Sequence, residues 1–152
     1  KKPKIQFFEW EKGMINIFER FLQNDVKEMV SFSNFEKLSE FFEDKRFLEK
    51  HFAERFKKGI KTRFISPRND LAESFTQKFF DKHLSDGLVE VFLISPKEFY
   101  FDSEITIFDD SISIINFNKK SPVGVLIENK ELYQTQKAIF DLAWLGATSF
   151  IT

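Results

Sequence analysis

Apolar residues along this chain change spacing several times, and each change predicts an element. Ile5 to Trp10 is a short aromatic run that reads as a strand, with Gly13 ending it. Met14, Ile15, Ile17, Phe18, Phe21 and Leu22 then recur at helical spacing and form one apolar face. Asn24-Asp25 closes that helix, and Val26 to Phe32 reads as a strand. Ser33 with Glu36 makes a capping-box signature. Behind it, Phe35, Leu38, Phe41, Phe42, Leu48, Phe52 and Phe56 turn inward, with a phase slip near Asp44 that allows two helices in place of one. Gly59 suits the left-handed position after a helix end. Ile60 to Ser66 is a strand with Ile60, Thr62 and Phe64 on one face, Arg63 and Ile65 on the other, and Pro67 as its stop. Asp70 and Glu73 predict a cap for a helix carrying Leu71, Phe75, Phe79 and Leu84, which Gly87 ends. Leu88 to Ile94 is apolar enough for a strand buried on both faces, and Ser95-Pro96 breaks it.

The pattern then changes. Glu104–Phe108 and Ile112–Phe117 alternate at period two around Asp109-Asp110-Ser111, which predicts a hairpin. After a turn at Lys119–Pro122 comes another strand, Val123–Glu128. Asn129 caps a closing helix with Leu132, Gln136, Ile139, Phe140, Ala143 and Trp144 inward, ended by Gly146. Strand–helix units in the front half require crossovers and parallel pairing; linked strands in the back half require antiparallel pairing. The expectation is an α/β fold, a mixed sheet of about seven strands with helices on both faces.

The chain has 152 residues, the size of a single domain spanning 1–152. Its 22 Phe mean that the core is built largely from aromatic rings. A net charge of −1 selects neither nucleic acid nor a membrane surface as a direct partner. Without cysteine there is no disulfide, thiolate metal site or thiol nucleophile, which fits a cytoplasmic protein. The two histidines, His51 and His83, cannot form a closed zinc site. Neither a metal nor a cofactor is expected. No apolar run has the length of a membrane span. The opening Lys-Lys-Pro, without Met, reads as a fragment whose N-terminal partner domain is missing.

Candidate ligand-binding residues cluster where strands end, because open α/β sheets bind outside the carboxyl ends of their strands. Ser33 and Asn34 follow one strand; Arg68 and Asn69 follow the next, beyond Arg63. Arg55, Lys57, Lys58, Lys61, Arg63 and Arg68 form a basic stretch without an acid. A solvated helix end explains its first three members; a polar crevice is the alternative for the rest.

Two longer segments, EITIFDDSISIINF (Glu104–Phe117) and GVLIENKELYQTQKAIFDLAW (Gly124–Trp144), resemble the C-terminal domain of TrmB-family transcription regulators. PKIQFFEWEKGMINIF (Pro3–Phe18) and RFKKGIKTRFISP (Arg55–Pro67) agree with that family's order and spacing. The resemblance implies a phospholipase D-like fold, an upstream winged-helix domain as the only route to DNA, and a homodimer. Some members of the family bind sugars through this region; the sugar-binding extension is not found in this sequence, and a sugar or other metabolite is the candidate small-molecule effector. Active phospholipase D-like enzymes carry His-x-Lys-x4-Asp, and the matching positions here are Asp102, Glu104 and Asp109. The spacing survives while the chemistry does not: carboxylates repel a phosphodiester. Asp102 and Glu104 then read either as solvent-facing residues before a strand or as the remnant of a pocket that prefers cations or hydroxyl-rich ligands.

The resulting expectation is a non-catalytic ligand-sensing or dimerisation domain of a TrmB-like regulator. The alternatives are a divergent phosphodiesterase and a protein-interaction module without a small ligand. Phe140 and Trp144 are expected in the core. Phe41, Phe42 and Phe47 exceed one buried stripe, so they mark either the core edge or a dimer surface.

Overall fold

A computed structural model describes residues 2–23 and 25–150. Asn24, expected to help close the first helix, lies outside the described residues. The chain runs β1 (Lys4–Glu9), α1 (Trp10–Arg20), β2 (Glu28–Phe32), α2 (Phe35–Phe41), α3 (Lys45–Lys57), β3 (Lys61–Pro67) and α4 (Asp70–Leu84). It continues through β4 (Val89–Ile94), β5 (Glu104–Phe108), β6 (Ser111–Asn116), β7 (Val123–Glu128) and α5 (Lys130–Ala147). One sheet of seven strands has the order β1-β7-β6-β5-β2-β3-β4. β2, β3 and β4 pair in parallel, while β2–β5, β5–β6, β6–β7 and β7–β1 pair antiparallel. The mixed sheet and the hairpin across Asp109 match the sequence expectation. No helix among the described residues is long and apolar enough to cross a membrane.

Helices α1 to α4 pack on one face over a core rich in phenylalanine. Phe35 stacks on Phe75 at 4.7 Å, and Phe18 meets Phe42 and Phe117 edge-on at 5.8 and 6.4 Å. On the other face α5 alone buries Phe140 against Val30, Ile65 and Ile107. Trp144 is half-buried, stacked on Phe92 with centroids 3.9 Å apart.

Several local expectations need correction. Gly13 does not end β1 but lies inside α1, where an added Cβ would come within 3.1 Å of the Phe8 Cβ; the helix can approach the strand so closely only there. Asn34, not Ser33, caps α2 by accepting from the Lys37 N–H, and Asn69, not Asp70, caps α4 through the Ala72 N–H. The phase slip near Asp44 does separate two helices. β4 is an edge strand with Glu90 exposed, so it is not buried on both faces. Phe42 is fully buried and Phe47 packs against the same cluster, so this group forms core, not a free dimer surface. On α5, Leu132 and Ile139 point to solvent instead of inward, and the helix continues one residue past Gly146.

The hairpin turn holds both Asp109 (φ 42°) and Asp110 (φ 56°) in the left-handed region. A two-residue turn of this kind favours glycine at its second position. Asp110→Gly is therefore expected to raise stability by about 1 kcal/mol, the order of the left-handed cost for a residue with a Cβ. Urea midpoints of the two chains measure it; a lower midpoint for the variant contradicts the assigned turn.

Candidate functional site

Residues at alternating positions of β2, β5 and β6 place a polar row on the face covered by α1 to α4. Ser31 pairs in register with Thr106, and Thr106 with Ser113. Ser33 and Glu104 continue the row toward the carboxyl ends of the parallel strands. The Glu104 carboxylate accepts from the Ser33 hydroxyl at 3.0 Å and from Thr106 at 3.2 Å. Ser31 links the two, 2.8 Å from the Ser33 oxygen and 2.9 Å from that of Thr106.

From α3 two further polar side chains enter this layer. Arg55 lies over the Phe52 ring, 4.9 Å from its centroid, and its Nη2 meets His51 Nε2 at 2.8 Å. Both residues are buried, so the solvated-helix-end reading fails for Arg55. Burial pushes the Glu104 carboxyl up to about 7, with the Ser33 hydrogen bond and the Arg55 charge pulling the other way. Burial likewise lowers Arg55 to about 10 despite the attraction of Glu104. For both members, desolvation outweighs their mutual attraction. His51 is held well below its ordinary value by burial and then by the Arg55 charge. It is thus neutral, and its Nε2 accepts from the guanidinium. The Arg55 Nε and Ser113 Oγ are buried without a hydrogen-bond partner among the described residues.

The residues selected from the sequence scatter around this layer. Ser33 and Glu104 meet in it, and Glu104 is not solvent-facing, because its alternation places it under the helices. Asn34 is buried beside them, donating to the Phe101 carbonyl at 3.0 Å. Asp102 is exposed, and its carboxylate near Tyr100 raises the pKa of that phenol. Arg68 is engaged by Glu73, and Asn69 by its cap. Arg63 sits on the opposite face, bonded to Asp141 at 3.0 Å and lying over Phe140 and Trp144. Asp109 occupies the hairpin at the far end of β5, ~16 Å of extended chain from Glu104. The eight candidates therefore do not form one crevice. Sequence reasoning missed His51, Arg55, Ser31, Thr106 and Ser113. The available signal was the period-two recurrence of Ser31 and Ser33, Glu104 and Thr106, and Ser111 and Ser113.

An open cleft of about 830 Å³ lies at the same end of the sheet. Lys37, Glu43, Asp102, Asn116 and Lys119 line it with Phe41 and Phe117. Lys119 already pairs with Glu43 at 2.8 Å. Among the described residues no cluster of His, Cys, Asp and Glu has the arrangement of a metal site.

No protein-family model matches the sequence, and no curated protein does. Solved structures do match. TrmBL2, an archaeal chromatin protein reported to show a novel mode of DNA binding, is 16% identical with a TM-score of 0.67. The match covers 94% of this chain and 53% of TrmBL2, so the chain spans about half of that protein. NucT from Helicobacter pylori is 15% identical with a TM-score of 0.63, over 92% of this chain and 94% of NucT. Phosphatidylserine synthase from Haemophilus influenzae is 15% identical, also with a TM-score of 0.63, over 94% of this chain and 38% of the synthase. The fold is mixed α/β and phospholipase D-like.

The buried carboxyl has a consequence for stability. Between its ordinary value of 4.5 and about 7, folded Glu104 keeps a proton that the unfolded chain has released, so stability falls as pH rises through that window. His51 acts oppositely, costing stability as pH falls below 6.5, but it is present in both chains of a Glu104→Gln comparison. The advantage of Glu104→Gln over the natural chain should grow by up to about 3 kcal/mol between about pH 4 and about pH 8.5. A pH-independent difference in urea unfolding would place Glu104 in water.

Proposed function

We propose that this chain is a non-catalytic effector or dimerisation domain of a TrmB-like transcription regulator. It acts in the cytoplasm as a homodimer and reaches DNA through a winged-helix domain elsewhere in the same protein. The observation that carries this reading is the chemistry at the positions aligned with a phosphodiesterase triad. Phosphoryl transfer needs a nucleophile and cations around the phosphate oxygens. Asp102, Glu104 and Asp109 supply no cation and no imidazole nucleophile, and Glu104 is buried with its oxygens engaged by Ser33 and Thr106. His51 is neutral, buried and bound to Arg55, and His83 is paired with Asp86 at the end of α4. The likeness to TrmBL2 over nearly the whole chain supports the regulator class.

The cleft beside Asp102 supports the sensing half of the proposal. Its size suits a small polar molecule, and its amides and mixed charges favour a hydroxyl-rich metabolite over a phosphodiester. Two measurements test the reading. A chromogenic phosphodiester should show no turnover; turnover abolished by Asp102→Ala would overturn the non-catalytic assignment. In a thermal-shift series with sugars, nucleotides and other metabolites, a ligand at 100 times its Kd should stabilise by about 2.7 kcal/mol. That gain should vanish in Asp102→Ala, and a series without any shift removes the sensing role.

A further inference from the structure

On its second face the sheet is only half covered. The α5 flank bearing Lys137, Asp141 and Trp144 looks toward β2, β3 and β4: Lys137 lies 3.7 Å from Glu28, Asp141 bonds Arg63, and Trp144 stacks on Phe92. Beyond the opposite flank, β7 and β1 carry no helix on this face. The surface left open there is apolar. Phe7 is 79% exposed, and Ile5, Ile114 and Val123 are exposed beside it. Register places Phe7 against Val125 and Val125 against Ile114, so these side chains form one continuous shelf.

The helix beside that shelf is also apolar outward. Leu142 and Leu145 are 70% and 71% exposed on the side away from the sheet, and Leu132 and Ile139 are exposed on the flank toward β7. From Leu132 to Ser149 the only charged residues are Lys137 and Asp141, both on the far flank. A solvated helix of five turns ordinarily carries charge on its outer face.

We propose that this shelf receives the α5 helix of a second copy of the chain. The uncovered strip is two to three strands wide, ~10–14 Å, and a helix with its side chains is ~10–12 Å across. A two-fold axis running alongside α5 sets the two helices side by side between the two sheets. Leu142 and Leu145 of each copy then lie on the partner's shelf, and Leu132 and Ile139 meet their counterparts across the axis. The contact uses the exposed apolar groups of β1, β6, β7 and α5 once and closes on itself, as an isologous interface must. A helix of another protein could fill the shelf but would leave Leu142 and Leu145 in water. The exposed parts of these side chains amount to roughly 700 Å² per copy, near the ~800 Å² per partner of a stable interface.

The proposal rests on the homodimer reading above and adds the surface. Sedimentation equilibrium of the chain should give twice the 18.1 kDa of one copy. Leu142→Asp on the ridge and Phe7→Asp on the shelf should each weaken dimerisation by about 30-fold or more. Both residues are mostly exposed, so far-UV circular dichroism should not change. Because the chain has no cysteine, Ile139→Cys should form an inter-copy disulfide under mild oxidation, whereas Asp141→Cys on the far flank should not. A monomeric natural chain overturns both dimer and surface. A dimer that survives Leu142→Asp or Phe7→Asp, or that cross-links equally through Asp141→Cys, overturns the surface alone.

Discussion

A sheet with apolar side chains on both faces has to be covered twice. This chain supplies four helices for one face and a single helix for the other. That imbalance organises the molecule. Under α1 to α4 the cover is complete, and even polar strand residues are shut away from water. Under α5 the cover stops at β6, leaving apolar residues of β7 and β1 in solvent. One face has sealed in a polar row that cannot reach a ligand; the other displays an apolar surface without a partner in the same copy.

The sealed face combines two kinds of packing. Phenylalanine rings make edge-on and stacked contacts throughout it, with aliphatic side chains filling the gaps between them. Into this layer the chain places Glu104, Arg55 and His51. A buried charged group gives up its hydration, and hydrogen bonds recover only part of that loss. Glu104 and Arg55 reflect this, each displaced toward its neutral form.

Fold and chemistry point in different directions in this molecule. The solved structures that share its architecture include a phosphatidylserine synthase and a chromatin protein. At such identities the architecture does not choose among them, and function has to be argued from the site. Phosphate chemistry requires positive charge open to a substrate. The charge available at the centre of this sheet is one guanidinium, buried, facing a carboxyl and committed to an imidazole. The surfaces this fold leaves open are the polar cleft at the strand ends and the apolar face beside α5.

Much of this architecture was legible along the chain. The helix-separated strands, the hairpin around Asp109-Asp110, the break near Asp44 and the cap at Asn129 follow from spacing and turn chemistry within one element. The site was less legible. Ser33 and Glu104 were selected separately, but the alternation of Glu104 and Thr106 reads equally as a wet face or a buried one. Leu132 and Ile139 share the helical period of Phe140, and only the tilt of α5 over β2 and β5 separates the buried stripe from the exposed one. Arg55 looked like a basic helix end until α3 was laid across the strands. The sequence by itself determined which residues share a face, because that depends on the pitch of a helix or the pleat of a strand. The tertiary structure alone decided which face meets water, because that depends on what another element, distant in sequence, lays upon it.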